Sequence, residues 1–254
     1  MIKPIIVGNW KLNGTQESIK IFLNLLNKFL VNYHEKCTVV ISLPILYAYL
    51  IRNTLLFDNK NFFLGAQNTD NHNSGSFTGE ISPIMLKDLG IKYVIIGHSE
   101  RRFNHNETNR MIANKFFLLK KENLIPILCI GETKQEKLEN NTINICKKQI
   151  DSIFDICGIQ AFNDSIIAYE PVWAIGSEIS ATPKEAQFIA RFIRQYIVSR
   201  TNDRIKNFFI QYGGSVTRKN AKNLIKQKDI DGFLLGRSSL QIEEFTKIIE
   251  IIHV

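Results

Sequence analysis

Short apolar segments of strand type alternate with helical segments eight times along the 254 residues, and neither a linker nor a change of composition divides them. The first strand segment is Ile5 to Trp10, and the last is Gly232 to Leu235. Alternation of this kind predicts a parallel sheet covered by helices, and eight units in about 250 residues is the size of a (β/α)8 barrel. We therefore expect an α/β protein with one barrel domain spanning residues 1–254.

The strand segments are rich in isoleucine and valine, as is typical of strands that are buried on both faces. The hydrophobic fraction of 44% is sufficient for a large core. An open, doubly wound sheet is the competing architecture. No Gly-x-Gly-x-x-Gly motif follows the first strand, which disfavours a nucleotide-binding fold of that kind.

Helix boundaries can be predicted from capping residues and apolar spacing. Thr182-Pro183-Lys184-Glu185 predicts a capped helix start, in which Glu185 is the reciprocal partner of Thr182. Thr133 and Glu136 form a second capping box, from which a long helical region is expected to run towards residue 157. Another helix is expected over residues 106–122, and the last one from about residue 240 to residue 253.

The net charge of +8 is compatible with an anionic partner. Lysine and arginine are spread over the predicted helices, and no dense basic tract interleaved with aromatic residues is found, so we expect no nucleic acid partner. A small phosphorylated substrate explains local positive charge equally well. A lysine-rich solvated surface is sufficient to explain the overall excess.

The spacing of the cysteines indicates whether the chain could hold a metal ion or a disulfide. No Cys-x-x-Cys pair and no histidine at zinc-ligand spacing accompany the four cysteines, which are Cys37, Cys129, Cys146 and Cys157. We expect no metal, a reducing compartment, and Cys129 as a small core residue.

The first strand begins almost directly after Met1, and no apolar run approaches the ~20 residues of a membrane span. We therefore expect a cytoplasmic protein without a membrane contact.

Polar side chains follow the carboxyl ends of several predicted strands. Asn9 and Lys11 follow the first strand, His98 the fourth and Glu170 the sixth. In a barrel these ends share one face, where barrel active sites lie. Taken singly, a glutamate such as Glu170 is more often a surface carboxylate, and a lysine such as Lys11 more often a surface lysine. Together they predict a pocket that contains a cation, an imidazole and a carboxylate.

Glycine-containing turns follow the last two strands. They are Gly213-Gly214-Ser215 and Gly236-Arg237. Backbone N–H groups and a helix N-terminus at this place in a barrel favour a phosphate. The alternative is that these glycines only permit tight turns. We favour a phosphate site.

Two loops have unusual compositions for their positions. The segment Val172 to Ile175 is too apolar for an ordinary solvent loop, so it is either packed down permanently or part of a lid. The segment Gln67 to Glu80 is long, polar and rich in asparagine and glycine. Loops of this length are usually functional or bind a partner, although this one could also fold onto its own subunit.

Six segments of the chain together resemble the triosephosphate isomerase family. They are Gly8-Asn9-Trp10-Lys11, Gly65-Ala66-Gln67-Asn68, Ile96-Gly97-His98-Ser99-Glu100-Arg101-Arg102, Cys129-Ile130-Gly131-Glu132, Tyr169-Glu170-Pro171-Val172-Trp173-Ala174-Ile175-Gly176 and Tyr212-Gly213-Gly214-Ser215. The resemblance is collinear over nearly the whole chain. It implies a TIM barrel and an intramolecular aldose–ketose isomerase of glycolysis and gluconeogenesis. The implied reaction interconverts dihydroxyacetone phosphate and D-glyceraldehyde 3-phosphate through an enediolate, without cofactor or metal.

The resemblance also implies catalytic roles. Glu170 would be the base that moves the carbon-bound proton, and His98 the electrophile that polarises the carbonyl group. Lys11 and Asn9 would stabilise negative charge. A glutamate base with a neutral histidine at a helix N-terminus is a feature of the family itself. The sequence agrees with it, because Ser99-Glu100 after His98 is a helix start, where the positive dipole end disfavours imidazolium.

The phosphate, lid and dimer residues are likewise implied by the resemblance. The backbone of four residues would bind the phosphate, namely Gly176, Ser215, Gly236 and Arg237. In the lid segment Pro171-Val172-Trp173, the indole would be held by Glu132 when the lid is open. Tyr212 would contact Ala181 when the lid closes. In a homodimer, Thr78 would pack beside Asn9 and Lys11 of the other subunit.

Three residues depart from the family pattern. Glu178 and Ile179 stand in the lid where the family usually has glycine and lysine, which predicts altered lid kinetics with the chemistry retained. Arg237 replaces a usual glycine in the last phosphate turn. It retains the backbone N–H, and we expect its side chain either to point outward or to add attraction for the phosphate.

Two other functions are compatible with a barrel. One is an enzyme that acts on a larger phosphorylated sugar or an indole precursor, which the fold alone does not exclude. The other is a catalytically silent barrel that serves as a scaffold. The presence of Glu170, His98 and Lys11 together disfavours both.

Overall fold

Eight parallel strands close into a barrel in chain order. A computed structural model of the chain describes residues 3–33, 36–54, 60–175, 180–202, 204–205 and 207–252. Strands β1 to β8 are Ile5–Asn9, Thr38–Ser42, Phe62–Ala66, Tyr93–Ile96, Ile125–Ile130, Ser165–Tyr169, Phe208–Tyr212 and Gly232–Leu235. The barrel closes through β1, where Ile5 is opposite Thr38 of β2 and Gly232 of β8. The predicted (β/α)8 barrel is confirmed, and the open sheet is excluded.

Helices follow the strands and cover the barrel. Within the described residues, α1 to α10 are Gln16–Leu30, Ile45–Thr54, Pro83–Asp88, Ser99–Asn104, Asn109–Lys121, Lys134–Leu138, Thr142–Cys157, Pro183–Arg200, Ala221–Ile225 and Ile242–Ile251. Short 3-10 turns cover Val172–Ala174 and Arg237–Ser239. None of the described helices is both long enough and apolar enough to cross a membrane.

Alternate strand residues pack on opposite sides of the barrel wall. The inner cluster of buried side chains contains Ile5, Val7, Val40, Tyr93, Ile95, Ile127, Cys129, Ile166, Ala168 and Leu234. Their strand neighbours, such as Ile6 and Ile167, belong to the larger cluster that packs against the helices. This period of two is the expected strand geometry. Cys129 is thus the small core residue that its sequence context predicts.

Both predicted capping boxes are confirmed. The Thr182 side chain accepts from Glu185 N over 3.2 Å, and Glu185 Oε2 accepts from Thr182 N over 2.8 Å. Pro183 is the first residue of α8. Thr133 and Glu136 make the same reciprocal pair at the start of α6, over 3.2 and 2.7 Å.

Three helix predictions were too long. Residues 106–122 do not form one helix, because Asn106 has φ +54° and the helix begins at Asn109 after its cap, Thr108. The region after Thr133 breaks into α6 and α7 at Asn140, which has φ +55°. The last helix begins at residue 242, because a 3-10 turn occupies residues 237–239, and its predicted end at residue 253 lies outside the described residues.

Candidate active site

The strand alternation directs Asn9 and Glu170 into the mouth of the barrel. Asn9 continues the inward series of Ile5 and Val7 on β1, and Glu170 continues that of Ile166 and Ala168 on β6. Both polar residues are buried, with exposed fractions of 5% and 3%. A buried amide and a buried carboxylate at the carboxyl end of a barrel are expected where substrate binds.

A cavity of about 640 Å³ opens at this end of the barrel. Seven residues predicted for the site line it, namely Asn9, Lys11, His98, Glu170, Ser215, Gly236 and Arg237. The eighth, Gly176, lies outside the described residues. The volume is in the range of small-molecule sites.

His98 and Glu170 face each other across the floor of the cavity. His98 Nε2 is 3.4 Å from Glu170 Oε1. His98 Nδ1 accepts from the backbone N–H of Glu100 over 3.2 Å, as the side-chain cap of α4. A ring nitrogen that accepts carries no proton, so this contact assigns a neutral imidazole with its proton on Nε2. The protonated Nε2 of that neutral ring is the nitrogen that lies 3.4 Å from the carboxylate.

Glycine residues leave room for the Glu170 carboxylate and backbone. A β-carbon added at Gly213 would lie 2.7 Å from Glu170 Cγ, and one added at Gly131 would lie 2.0 Å from the carbonyl oxygen of Glu170. Glu170 Oε2 is buried and has no hydrogen-bond partner among the described residues. This oxygen is therefore an available acceptor at the cavity floor.

Lys11 is held from three sides. It has φ +53°, a left-handed conformation that is uncommon for residues other than glycine. Its N–H donates to Asn9 Oδ1 over 3.1 Å, and its carbonyl oxygen accepts from Gln67 Nε2 over 2.9 Å. Its Nζ is 2.5 Å from Glu100 Oε1. Glu100 thus donates its N–H to the His98 ring, which caps α4, and fixes the Lys11 ammonium through its side chain.

The carboxylate of Glu132 holds the start of the apolar loop. Glu132 is 1% exposed and accepts from Trp173 Nε1 over 2.7 Å and from the Tyr169 hydroxyl over 3.1 Å. Burial raises the pKa of Glu132, while the hydrogen bond from Trp173 opposes that rise. Lys137 Nζ lies 3.4 Å from the centre of the Trp173 ring, over its face.

The far side of the apolar loop is held by Tyr212. Its hydroxyl accepts from Ala181 N over 3.0 Å and lies 3.2 Å from Ser180 Oγ. The contacts of Trp173 with Glu132 and of Ala181 with Tyr212 therefore occur together, whereas the resemblance assigns them to open and closed lids. The departures at residues 178 and 179 lie outside the described residues.

The remaining predicted residues do not line the cavity. Pro171 accepts from Ala174 N over 2.8 Å, and Val172 N donates to Glu132 O over 3.0 Å. Ser99 is buried as the first residue of α4. Thr78 is exposed in the loop after β3 and does not line the cavity.

Several residues that line or support the cavity were not individually assigned to the site from the sequence. Gln67 and Gly213 occur in the family motifs, so the resemblance was the signal that could have identified them. Lys219 lines the cavity from the loop after β7, and no motif marked it.

Comparisons with known proteins agree on one family. A family model described as triosephosphate isomerase matches residues 4–252. The triosephosphate isomerase of Buchnera aphidicola subsp. Cinara cedri (strain Cc) is 68% identical over 254 residues, which cover 100% of both chains. That of Wigglesworthia glossinidia brevipalpis is 52% identical over 251 residues, covering 99% of this chain and 97% of its own. That of Blochmanniella floridana is 50% identical over 247 residues, covering 97% and 94%. The chain belongs to the triosephosphate isomerase family.

Proposed function

We propose that the protein interconverts dihydroxyacetone phosphate and D-glyceraldehyde 3-phosphate, as an isomerase of glycolysis and gluconeogenesis. The observation that carries this proposal is the facing pair of His98 Nε2 and Glu170 Oε1, 3.4 Å apart in a cavity walled by two glycine-containing turns. A base and a neutral proton donor at the floor of the same cavity suit a reaction that moves a proton from the carbon next to a carbonyl group.

Glu170 removes the proton from the carbon next to the carbonyl group. Glu170 lines the cavity, and its buried Oε2 has no hydrogen-bond partner among the described residues, which favours this role. His98 donates from Nε2 to the carbonyl oxygen, so that an enediolate forms, and it then relays a proton between the two oxygens. Its neutral state matters because imidazole is a weaker acid than imidazolium and better matched to an enediolate oxygen.

Lys11 and Asn9 stabilise the negative charge that develops on the substrate oxygens. The phosphate is bound by backbone N–H groups of Ser215, Gly236 and Arg237, together with Gly176. An added β-carbon at Gly236 would lie 4.0 Å from Lys11 Nζ, so the ammonium is also within reach of a phosphate in the last turn. Preorganised donors and cations of this kind supply much of the stabilisation in such reactions.

The apolar loop acts as a lid that excludes water from the enediolate. Glu132 anchors its first part through Trp173, and Tyr212 anchors its last part through Ala181. Exclusion of water strengthens the electrostatic interactions in the site and prevents side reactions of the intermediate.

The active form is a homodimer in the cytoplasm, with each chain a single barrel domain that needs no cofactor or metal. Exposed apolar side chains on the segments that follow β1 to β4 support self-association, and they are Leu12, Leu46, Tyr49, Phe77, Ile84, Met85 and Phe103. Leu12 is 97% exposed directly beside Lys11, where a second subunit would cover it. Thr78 would then pack beside Asn9 and Lys11 of the other subunit.

Sedimentation equilibrium tests the dimer. Leu12→Glu is expected to weaken it, whereas Leu138→Glu, at a 70% exposed position on α6, is the matched control and should leave it intact. A monomeric wild-type protein at micromolar concentration would contradict the dimer.

A coupled assay tests the reaction. The purified protein is mixed with glyceraldehyde 3-phosphate, and dihydroxyacetone phosphate is followed through NADH oxidation by glycerol-3-phosphate dehydrogenase. Glu170→Gln is expected to lower kcat by at least ~100-fold, the low end for a positioned general base. Glu243→Gln, on the exposed face of α10, is the control for loss of one carboxylate. No turnover by a folded wild-type dimer would favour the silent scaffold.

A further inference from the structure

A further cavity, here called the α8 cavity, lies on the outer layer of the barrel. It has a volume of about 390 Å³ and is lined by six residues, namely Gln187, Arg191, Arg194, Gln195, Lys228 and Asp229. Four of them belong to α8, and two belong to the segment that leads into β8. None of the six lines the cavity that contains Glu170. Because Lys228 and Asp229 precede β8, the α8 cavity lies towards the amino ends of the strands, away from the face where barrel active sites lie.

The helical repeat brings the four α8 residues to one side of that helix. Positions 187, 191, 194 and 195 have the spacing of neighbours on one helix face. The side of α8 that packs against the barrel is a different one, and its buried residues are Ala186, Ile189, Ala190, Ile193 and Ile197. The polar side of the helix therefore faces the segment before β8, and the two together form the walls of the α8 cavity.

The single carboxylate among the lining residues is already fully bonded. Gln187 Nε2 donates to Asp229 Oδ2 over 2.6 Å, and Gln187 Oε1 accepts from Asp229 N over 3.1 Å. Arg194 Nε donates to Asp229 Oδ1 over 2.9 Å, and Arg194 Nη2 donates to Asp231 Oδ2 over 2.6 Å. Asp231 Oδ2 also accepts from Ile210 N over 2.8 Å. This network fixes the position of α8 relative to the segment before β8, and it leaves neither oxygen of Asp229 without a donor.

Three other donor groups of the α8 cavity remain unused. The Arg191 guanidinium, the Lys228 ammonium and the Gln195 amide form no hydrogen bond and no ion pair with the part of the chain that the structure describes. All three side chains belong to exposed residues. The α8 cavity thus combines unused donors with a carboxylate that cannot satisfy them.

The charges around the α8 cavity leave a positive excess. Arg191, Arg194 and Lys228 supply three positive charges, whereas Asp229 and the adjoining Asp231 supply two negative ones. Because Arg194 is shared by both carboxylates, the excess is carried by Arg191 and Lys228. A guanidinium and an ammonium beside each other suit an anion with several acceptor oxygens, and both groups are common phosphate ligands. The volume is in the range of small-molecule sites.

We propose that the α8 cavity binds the phosphate group of a small ligand, with Arg191 and Lys228 as its cationic contacts and Gln195 as a neutral donor. The arginine lies on the helix and the lysine on the facing segment, so the bound anion bridges the two walls. This site is separate from the turns after β7 and β8 that are proposed to bind the substrate phosphate. Inorganic phosphate and a phosphate ester share the group that the α8 cavity recognises.

Chemical modification of arginine tests the site at Arg191 itself. Phenylglyoxal reacts with guanidinium groups, and mass spectrometry of peptides gives the modification rate of each arginine separately. We measure this rate over a series of inorganic phosphate concentrations, with the ionic strength held constant by sodium chloride so that general screening does not change. Arg110, which is exposed on α5 and lines neither cavity, is the internal control. Phosphate is expected to slow the modification of Arg191 and to leave that of Arg110 unchanged, whether or not the protein has isomerase activity.

A pair of lysine variants tests the second cationic contact. Lys228→Gln is expected to raise the phosphate concentration that halves the Arg191 rate by about fivefold, the size expected when one exposed member of an ion pair is removed. Lys226→Gln is the matched control, because Lys226 is exposed, lies two positions away and lines neither cavity. A merely structural role of Lys228 would change the Arg191 rate without phosphate and would leave the protecting concentration as it is.

Glycerol 3-phosphate and sodium acetate, at the same ionic strength, identify the class of ligand. Stronger protection of Arg191 by glycerol 3-phosphate than by inorganic phosphate would identify a phosphate ester, and equal or weaker protection would identify free phosphate. Acetate that protects as well as phosphate would overturn the assignment to phosphate. The site itself is overturned if phosphate slows Arg191 and Arg110 equally, or if Lys228→Gln and Lys226→Gln are protected at the same phosphate concentration.

Discussion

The Trp173 indole donates a hydrogen bond of 2.7 Å to the carboxylate of Glu132, which is almost fully buried. Trp173 belongs to the apolar loop, and Glu132 follows β5. The only other side-chain donor to this carboxylate among the described residues is the Tyr169 hydroxyl. If the apolar loop moved away from Glu132, this buried carboxylate would therefore lose one of its hydrogen-bond donors.

Trp173→Phe is expected to lower the free energy of unfolding by about 1–3 kcal/mol, because a buried acceptor loses a donor. Urea denaturation measures the change. Trp10→Phe is the matched control, because the Trp10 Nε1 is buried without a hydrogen-bond partner among the described residues. An equal loss in both variants would mean that packing, rather than the hydrogen bond, determines the effect.

Glu132→Gln is expected to change how stability depends on pH. Burial raises the folded-state pKa of Glu132 above its ordinary value of 4.5, so the folded state binds more protons than the unfolded state between those two pKa values. The contribution of Glu132 to stability therefore falls as pH rises through that interval. The neutral amide removes this term, and its oxygen can still accept from Trp173.

Unfolding free energies of wild type and Glu132→Gln, measured from about pH 4 to pH 7, test this sign. The difference between the variant and wild type should shift in favour of the variant as pH rises. A difference that stays constant across the interval would contradict a raised pKa at Glu132.

The sequence predicted the barrel because each local signal agreed with it. Isoleucine and valine in short segments, capping boxes such as Thr182 with Glu185, and polar residues after the strands are all visible along the chain. Helix ends were less predictable. Asn106 and Asn140 have a left-handed backbone that interrupts an otherwise helical pattern, and asparagine adopts it without a distinctive sequence mark.

The residues of the site were predicted from the polar residues at the strand ends and from the family motifs. The contacts that support those residues were not predicted. The bond from Gln67 to the Lys11 carbonyl joins residues 56 positions apart, and no periodicity reports such a pairing. The same holds for the bond from Lys115 to Asn68, which joins residues 47 positions apart. Long-range partners depend on how the barrel closes, so they became visible only in three dimensions.

Glu107 is the centre of a buried ion cluster. Its Oε1 is 2.6 Å from Lys115 Nζ and also accepts from Arg101 Nε, and the Lys115 side chain is 3% exposed. Burial alone would raise the pKa of Glu107, but the bonds from Lys115 and Arg101 outweigh it and hold the pKa below 4.5. Lys115 also donates to Asn68 Oδ1 over 2.8 Å, which ties α5 to the loop after β3.

Glu107→Gln is expected to destabilise the protein by about 3–5 kcal/mol at neutral pH, because it leaves the Lys115 ammonium buried without its counter-charge. In wild type, the stabilisation by the ionised Glu107 should be lost as pH falls through the depressed folded-state pKa of this residue. That stabilisation is complete only above the pKa of Glu107 in the unfolded state. Thermal unfolding at pH 7 measures the first effect, and a series of pH values from about 5 down to about 2 measures the second.

The double variant Glu107→Gln with Lys115→Met separates a missing partner from a damaged core. Removal of both charges should recover much of the loss of Glu107→Gln, because the buried Lys115 ammonium is gone, whereas the remaining Arg101 guanidinium is 27% exposed and can be solvated. A double variant as unstable as the sum of the single variants would show that the two side chains act independently.

Gly213 determines whether the Glu170 carboxylate can adopt its position at the cavity floor. A β-carbon at Gly213 would lie 2.7 Å from Glu170 Cγ, so Gly213→Ala must displace the proposed base. A displacement of about 1 Å can cost on the order of 100-fold in rate, and we expect a loss of that order in kcat. The fold should persist, because the movement is confined to one side chain.

A double-mutant cycle with Glu170→Ala, followed through the residual kcat, identifies the cause. Alanine lacks the Cγ that the new methyl group would meet, so Gly213→Ala should cost much less in the Glu170→Ala background than in wild type. The two effects on kcat are then strongly non-additive, as expected for residues in direct contact. Additive effects would mean that Gly213→Ala acts elsewhere, in the turn after β7 that is proposed to bind the phosphate. The position of the base would then not depend on this glycine.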